Sequence, residues 1–471
     1  MTLPFEQTTA PEKRLQDRVL KAGSWTLTGY GVNLCVRLVS NLILARLLFP
    51  EAFGVIAAAG ALISGLVLIS DFGVAVVVVQ SPRGEQAGFL RSAWVFQLWR
   101  CTVLWIVLIG LCALLSLPAI RNLLPADSVF ANRSFAWVTA TLGLTVVLAG
   151  AESTCIFLNV RRLNYRPVVI IDLISRIVVL PLVIIWAWIL PNVWALVGGA
   201  LTGSVLRVVL SHTLVPGPRM ALTWEKDHLQ EIVRFGRWIA VSSFGSFVAH
   251  QGDVILLGIL MPGSMLGLYS VAKLLVDAGE GLLEKLNSSL ALPVLGEVLR
   301  KDPSKLQDRY YRFRLPIDVM AALLGGGLFA SGQFVVNFLY DARYAESGIM
   351  VSILALGIAI YPFSIIRSAF AATGDAHIVA ATSILTVASL VVCSAVGFFA
   401  FGVLGIVGGV ALRRIIPSIA IIFLAHKRHW ISARHELRLV PAFLVGVLLG
   451  KGVALTATAL HFENIRQIFH S

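Results

Sequence analysis

Long apolar runs separated by short polar stretches dominate this chain. A helix needs ~20 mainly apolar residues to cross a bilayer, and that ruler marks about thirteen segments. They fall at residues 23–45, 52–79, 92–117, 135–158, 167–190, 193–214, 238–260, 265–295, 315–339, 347–372, 377–400, 402–425 and 439–460. The connections are short; the longest, from Pro216 to Arg237, could not fold as a separate domain. The pattern predicts an all-α polytopic membrane protein.

The polar stretches orient it. Translocated loops are poor in Lys and Arg. With the N-terminus taken as cytoplasmic, 23 of the 38 Lys and Arg fall in inside segments, Arg312 and Arg314 among them. Five (Arg46, Arg121, Arg133, Arg343 and Arg466) fall outside. Composition excludes the usual reading of a +13 net charge. With 58% hydrophobic residues, 13% charged residues and a mean hydropathy of +0.86, a water-facing surface could not be covered. A soluble enzyme and a nucleic-acid-binding module are both ruled out. The five Cys lie inside apolar runs without metal-ligand spacing, so they read as packing residues and no metal site is expected. Residues 1–22 lack the apolar stretch of a cleavable signal, which leaves the first span as its own insertion signal.

A repeat divides the chain. ILARLLFPEAFGVI (Ile43 to Ile56) matches ILLGILMPGSMLGLY (Ile255 to Tyr269): Pro50 aligns with Pro262, and Gly54 with Gly267 after one insertion. Asp71 then aligns with Glu284, an acid expected near the end of the following helix in each copy. The offset holds six spans, an even number, so the copies share one orientation. Parallel six-helix repeats are a transporter architecture with the substrate path between the halves. The expected organisation is a cytoplasmic segment 1–22, an N-lobe 23–215, a linker 216–237, a C-lobe 238–425 and a C-terminal segment 426–471 with a possible thirteenth helix.

Ionisable groups at membrane depth face a bundle interior or a wet cavity. On the first span Thr26, Tyr30, Asn33, Arg37 and Asn41 share one face, with a cation and no acid. On the eighth, Tyr269, Lys273, Asp277, Glu280 and Glu284 do the same, and the seventh adds Ser243, Ser246, His250 and Asp253. Lys273 with Asp277, and Asp172 with Arg176, have the spacing of same-helix ion pairs. Arg100, Arg207 and Arg367 have no acid four positions away, and Arg413 and Arg414 sit beside Pro417. Spans hold ten cations and eight acids. Exporters of cationic drugs want an acidic, aromatic pocket, whereas unpaired Arg suits an anionic cargo, because guanidinium binds phosphate through paired donors. Cargo-binding candidates are therefore Asn33, Arg37, Asn41, Arg176, Arg207, Lys273, Arg367 and Arg413. Ion-coupling or gating candidates are Asp71, Asp172, His250, Asp253, Asp277 and Glu284.

LFPEAFG (Leu48 to Gly54), DFGVAVVVVQ (Asp71 to Gln80), RFGRW (Arg234 to Trp238), GDVILLG (Gly252 to Gly258), LGLYSVAK (Leu266 to Lys273), FLYDARY (Phe338 to Tyr344) and ATGDAH (Ala372 to His377) occur in order along the chain. This set resembles the polysaccharide transporters of the MOP superfamily, the Wzx-type flippases of lipid-linked oligosaccharides. The resemblance implies two six-helix lobes in a MATE-like V, here with an additional C-terminal apolar segment, around a central cationic cavity. It also implies alternating access that moves a polyprenyl-diphosphate-linked glycan to the periplasmic leaflet of a bacterial inner membrane. No catalysis and no cofactor are implied, with an H+ or Na+ gradient as the drive. The glycan, the bilayer and the polysaccharide polymerase and chain-length machinery are the implied partners. Two alternatives stay open: a multidrug or cation antiporter on the same fold, and a membrane-embedded glycan polymerase, which the short outside loops disfavour. The family has twelve or fourteen spans, so the run at 439–460, with Lys451 in its middle, is expected either to leave the C-terminus periplasmic or to be interfacial or re-entrant.

Overall fold

A computed structural model describes residues 9–125, 127–301, 306–436 and 439–470. In chain order the helices are α1 (Thr9–Leu47), α2 (Pro50–Ile69), α3 (Val74–Gln80), α4 (Ala87–Leu115), α5 (Pro118–Arg121), α6 (Arg133–Leu142), α7 (Leu144–Ala151), α8 (Cys155–Arg161), α9 (Arg166–Ile189) and α10 (Val193–Thr213). They continue with α11 (Lys226–Leu260), α12 (Gly263–Lys301), α13 (Leu306–Leu339), α14 (Ser347–Ile360), α15 (Arg367–Ala372), α16 (Ala376–Leu412), α17 (Ile415–Lys427), α18 (Ala433–Glu436) and α19 (Leu439–His470). No strand occurs among the described residues. Ten helical segments among them are long and apolar enough to cross a membrane. One of the ten, His377–Lys427, carries two of the predicted spans, with Gly402 breaking the helix at φ 61.

Several apolar runs that look continuous are broken. The run at 52–79 stops at Ile69; Asp71 accepts the Gly73 amide at 2.9 Å, Gly73 turns with φ 59, and α3 follows. Glu284, the repeat partner of Asp71, instead lies well inside α12, where Leu286 stands at the position that Gly73 takes in the first copy. The expected match at the helix end therefore fails. The run at 135–158 breaks at Glu152, between α7 and α8, and the run at 347–372 breaks at a 3-10 turn, Tyr361–Ser364.

The chain divides into two compact units. The first holds residues up to Leu48, Leu62–Ala126 and Phe130–Phe244; the second holds Phe49–Ala61, Asp127–Val129 and Gly245–Ser471. The division falls after Phe244 and not within 216–237, because that stretch packs on the first unit. Arg91 donates to the Arg219 carbonyl at 3.1 Å, the Glu225 amide to Ser92 at 3.1 Å, and Ser81 to Glu231 at 2.6 Å. The His228 ring meets Phe89 edge-on at 5.3 Å.

In the second unit the repeat-related turns meet each other. A Cβ on Gly54 would stand 1.9 Å from the Gly263 carbonyl oxygen, and one on Gly267 would stand 1.7 Å from that of Pro50. Gly54 and Gly267 are the aligned glycines of the two copies, so each copy's glycine seats the first turn of the other copy's helix. Phe53 packs edge-on against Tyr344, and Arg343 lies over Phe49. Gly54→Val and Gly267→Val are each expected to lower the melting temperature sharply in detergent, since backbone must move. Gly60→Val, with nothing within 4 Å of its site, is the matched control.

The ATGDAH stretch is a clamp. Gly374 turns the chain at φ 81. Asp375 Oδ2 accepts from Arg428 Nη1 at 2.5 Å and from Thr373 at 2.7 Å, and the Arg428 guanidinium lies over Phe370 and Trp430. Arg428, then Thr373, hold the Asp375 carboxyl below the ordinary carboxylate range. A lowered pKa stabilises the fold above the unfolded value of about 3.9 and ceases to do so as pH falls through the folded one. Trp430 fluorescence is expected to hold steady across neutral pH and to change only in acid below that value. Asp375→Asn should abolish the acid transition.

The run expected at 439–460 lies within one continuous helix, α19. α19 crosses α13 backbone to backbone: a Cβ on Gly326 would meet the Phe443 carbonyl at 2.4 Å, and one on Gly446 the Ala322 carbonyl at 2.7 Å. Leu439–Thr456 meets the length and hydropathy of a span. An unbroken helix contradicts the re-entrant alternative, which needs a turn at depth.

Near the start of α13, Arg314 is 1% exposed and not a solvated loop cation. It donates to Asp318 at 2.7 Å, to Glu436 at 2.8 Å and to the Tyr310 hydroxyl at 3.0 Å. Tyr311 donates to Glu436 at 2.8 Å and accepts the Ser432 amide at 3.0 Å. This knot fastens α18 to α13.

Candidate functional site

In the first unit α9 lies between α1 and α10. Small residues allow the approach, as in membrane helix packing generally. Gly29 of α1 faces Val169 of α9, and Gly198 and Gly199 of α10 face Trp186 and Val183 of α9. That packing brings three candidates from three spans together. Arg37 of α1 and Arg207 of α10 are both within electrostatic reach of Arg176 of α9, as is Asp172. Arg207 grips Glu152 in a two-pronged pair, Nε to Oε1 at 2.9 Å and Nη2 to Oε2 at 3.1 Å, while its Nη1 bonds Asp172. The same-helix pairing of Asp172 with Arg176 is thus replaced by a pair between helices. Arg207 spends its donors on two acids, which fits a positioning residue better than a cargo contact. Arg37 and Arg176 are exposed, and with Asp172, Glu152 and Arg207 they leave the group one positive charge in surplus. Asn33 and Asn41 are half-buried, one turn to either side of Arg37. Asp71 sits apart, paired with Arg100 at 3.4 Å.

An apolar groove runs along the same helices. Val39, Leu42, Ile43 and Leu47 of α1 and Ile184 and Trp188 of α9, with Arg46, enclose about 460 Å³.

In the second unit Asp253 of α11 is 2% exposed. Its Oδ2 accepts from Lys273 Nζ at 2.5 Å and from the Tyr269 hydroxyl at 2.5 Å, and its Oδ1 accepts the Val254 amide at 2.9 Å. Lys273, expected to pair with Asp277 on its own helix or to touch cargo, is the counterion of Asp253. Arg414 bonds Glu280 at 2.8 Å and lies over Tyr361. Arg413 is electrostatically coupled to Asp253, Glu280 and Asp277. A cavity of about 20 Å³ lies among Tyr269, Lys273, Asp277, Glu280, Arg413 and Arg414. Glu284 is exposed but within electrostatic reach of Tyr361, over which Arg414 lies, and Arg367 is exposed. The side chain of His250 lies outside the described residues. Glu152, Glu280 and Arg414 were visible as intramembrane charges, but their partners stand on other helices at separations that no local spacing reveals.

Long apolar helices with charge clusters at depth define a multi-pass membrane protein, and its fold is that of the MurJ and MATE transporters. It is similar to the lipid II flippase MurJ in an inward closed conformation, with a TM-score of 0.70 at 13% identity over 94% of this chain and 99% of that one. An inward-facing multidrug resistance transporter of the MATE family, MOP superfamily, gives a TM-score of 0.66 at 12% identity over 87% and 95%. At such identities the likeness is one of fold. The family comes from sequence: a model described as polysaccharide biosynthesis protein matches residues 43–349, and the chain belongs to that family. The succinoglycan biosynthesis transport protein ExoT of Rhizobium meliloti (strain 1021) is 18% identical over 333 residues, 70% of this chain. The match spans 64% of that relative's length.

Proposed function

We propose that the protein moves a polyprenyl-diphosphate-linked oligosaccharide from the cytoplasmic to the periplasmic leaflet of a bacterial inner membrane, for polysaccharide biosynthesis, by alternating access. The observation that carries this reading is the cationic surplus at Arg37 and Arg176 beside an apolar groove on the same two helices. At 1.5 Å per residue, Leu42 lies about 8 Å along α1 from Arg37, and Ile184 about 12 Å along α9 from Arg176. That is the spacing of an amphiphile with a diphosphate head and an isoprenoid tail. Guanidinium stays charged when desolvated and offers paired donors to phosphate. The family and the name of the ExoT relative support a saccharide cargo.

The test uses the full chain in proteoliposomes with a fluorescent polyprenyl-diphosphate sugar in one leaflet. Movement that depends on Arg37 and Arg176 is the expected result. No movement with any plausible headgroup, or export of cationic drugs in its place, would overturn the proposal.

A further inference from the structure

We infer that a pocket of the first unit, walled by the end of α4, by α5 and by the start of α6, binds a saccharide that carries a carboxylate, on the periplasmic side. The periplasmic placement, and with it the assignment of that saccharide to the transported glycan, rests on the transport reading above; the binding chemistry does not.

The pocket encloses about 800 Å³, within the roughly 300–1,000 Å³ of small-molecule sites. Phe130 and Ala131 form the buried part of its wall, and Phe135 braces Phe130 edge-on at 5.0 Å. Ser116, Arg121, Asn122, Asn132 and Trp137 supply the polar groups and one flat apolar face. The Asn132 side chain also caps α6: its Oδ1 accepts the Ser134 amide at 3.0 Å and the Ser134 hydroxyl at 2.9 Å. The cap fixes the rim and leaves the Nδ2 hydrogens for a ligand.

Two of these residues have no partner in the fold. Arg121 is half-buried and pairs with no carboxylate among the described residues, and the pocket wall contains no Asp or Glu. On α4, Trp94 and Trp105 donate their indole N–H to the carbonyls of Ala151 at 3.1 Å and Ala140 at 3.0 Å. Trp137 is 74% exposed, and among the described residues its N–H has no acceptor. A tryptophan of the interfacial belt needs only the headgroup layer, whereas this one shares a pocket with two amides, a hydroxyl and a guanidinium. That mixture matches an acidic sugar. The apolar face of a pyranose lies on the indole, its hydroxyls exchange hydrogen bonds with the amides, and its carboxylate takes the paired guanidinium donors. A lipid phosphate shares only the last of these contacts.

The pocket lies at one end of the unit. α4 has 29 residues and is about 43 Å long, against a hydrocarbon core of about 30 Å. Its last residues therefore reach past the core. Arg83 and Arg91 stand at the opposite end of α4, where Arg161 and Arg162 pair with Glu85, and a cation-rich end is cytoplasmic. The pocket then faces the side on which a transported glycan emerges.

The experiment uses purified full-length protein and lipid-free trisaccharides, with binding read by calorimetry. Trigalacturonate should bind; Arg121→Ala should weaken it by about tenfold or more and Trp137→Ala by about fivefold. Arg121→Lys and Trp137→Phe should each restore part of the loss, and the surface variant Glu346→Gln should bind as wild type does. Melting temperatures should stay at the wild-type value, which separates a lost contact from a lost fold. The neutral trisaccharide maltotriose should bind more weakly than trigalacturonate and be indifferent to Arg121→Ala. Short-chain phosphatidylglycerol should not displace trigalacturonate. In intact cells Leu123→Cys, 83% exposed beside the pocket, should react with a membrane-impermeant maleimide above the wild-type background.

Absence of trigalacturonate binding, equal affinity for maltotriose, binding untouched by both alanine variants, or displacement by the lipid would overturn the inference. Labelling of Leu123→Cys only after lysis would overturn the periplasmic placement. Failure of lipid-linked sugar to move, with trisaccharide binding intact, would sink the transport reading alone.

Discussion

Arg314→Met is expected to cost the fold about 3–5 kcal/mol, the usual penalty for removing one partner of a buried ion pair. The cause is what remains. Asp318 and Glu436 would stand with no guanidinium between them, while the arginine itself is 1% exposed and cannot be replaced by water. Denaturant titration of the detergent-solubilised protein measures the loss. Removing the two acids as well, in Arg314→Met/Asp318→Leu/Glu436→Leu, should recover most of it, because the desolvated charges go together. Failure to recover would mean that the knot matters through the Tyr311 and Ser432 bonds that hold α18.

The second large effect is on transport. Arg37→Ala and Arg176→Ala should each slow movement of the lipid-linked sugar by about tenfold or more, the loss of a hydrogen bond to a charged group worth about 1.5–3 kcal/mol. Protein level and melting temperature should hardly change, since both side chains are exposed. Lysine at either position should rescue only in part, as it keeps the charge but not the paired donors. Arg207→Ala should behave differently and lower stability, because it leaves Glu152 and Asp172 facing each other. Equal transport by Arg37→Ala and wild type at equal protein level would remove Arg37 from the cargo path.

Hydropathy reveals a membrane fold well because each span must satisfy its own backbone in lipid. It is blind to breaks within an apolar run. Nothing in the apolarity of residues 52–79 marks the stop at Ile69; the Asp71 side chain and the left-handed Gly73 make it. Charge pairing is legible only along one helix. The spacing of Asp172 and Arg176 suggests a pair, but the packing of α9 on α10 hands Asp172 to Arg207. Lys273 goes to Asp253 in the same way. Counting cations by loop also assigns Arg314 to water, because the sequence shows that it precedes an apolar run but not that Glu436, more than a hundred residues later, folds over it.

The reciprocal seating of Gly54 and Gly267 bears on how fast such a joint can work. Interdigitated side chains must find their rotamers again each time they part and close, and that search adds to the barrier. Where two backbones meet directly there is less to sort, and here the Phe53–Tyr344 and Arg343–Phe49 contacts beside the glycines are what remains. The register of the seam between the repeat copies is written in the glycines of both copies at once. A side chain gained in one copy has no counter-change in that same copy that would restore the fit.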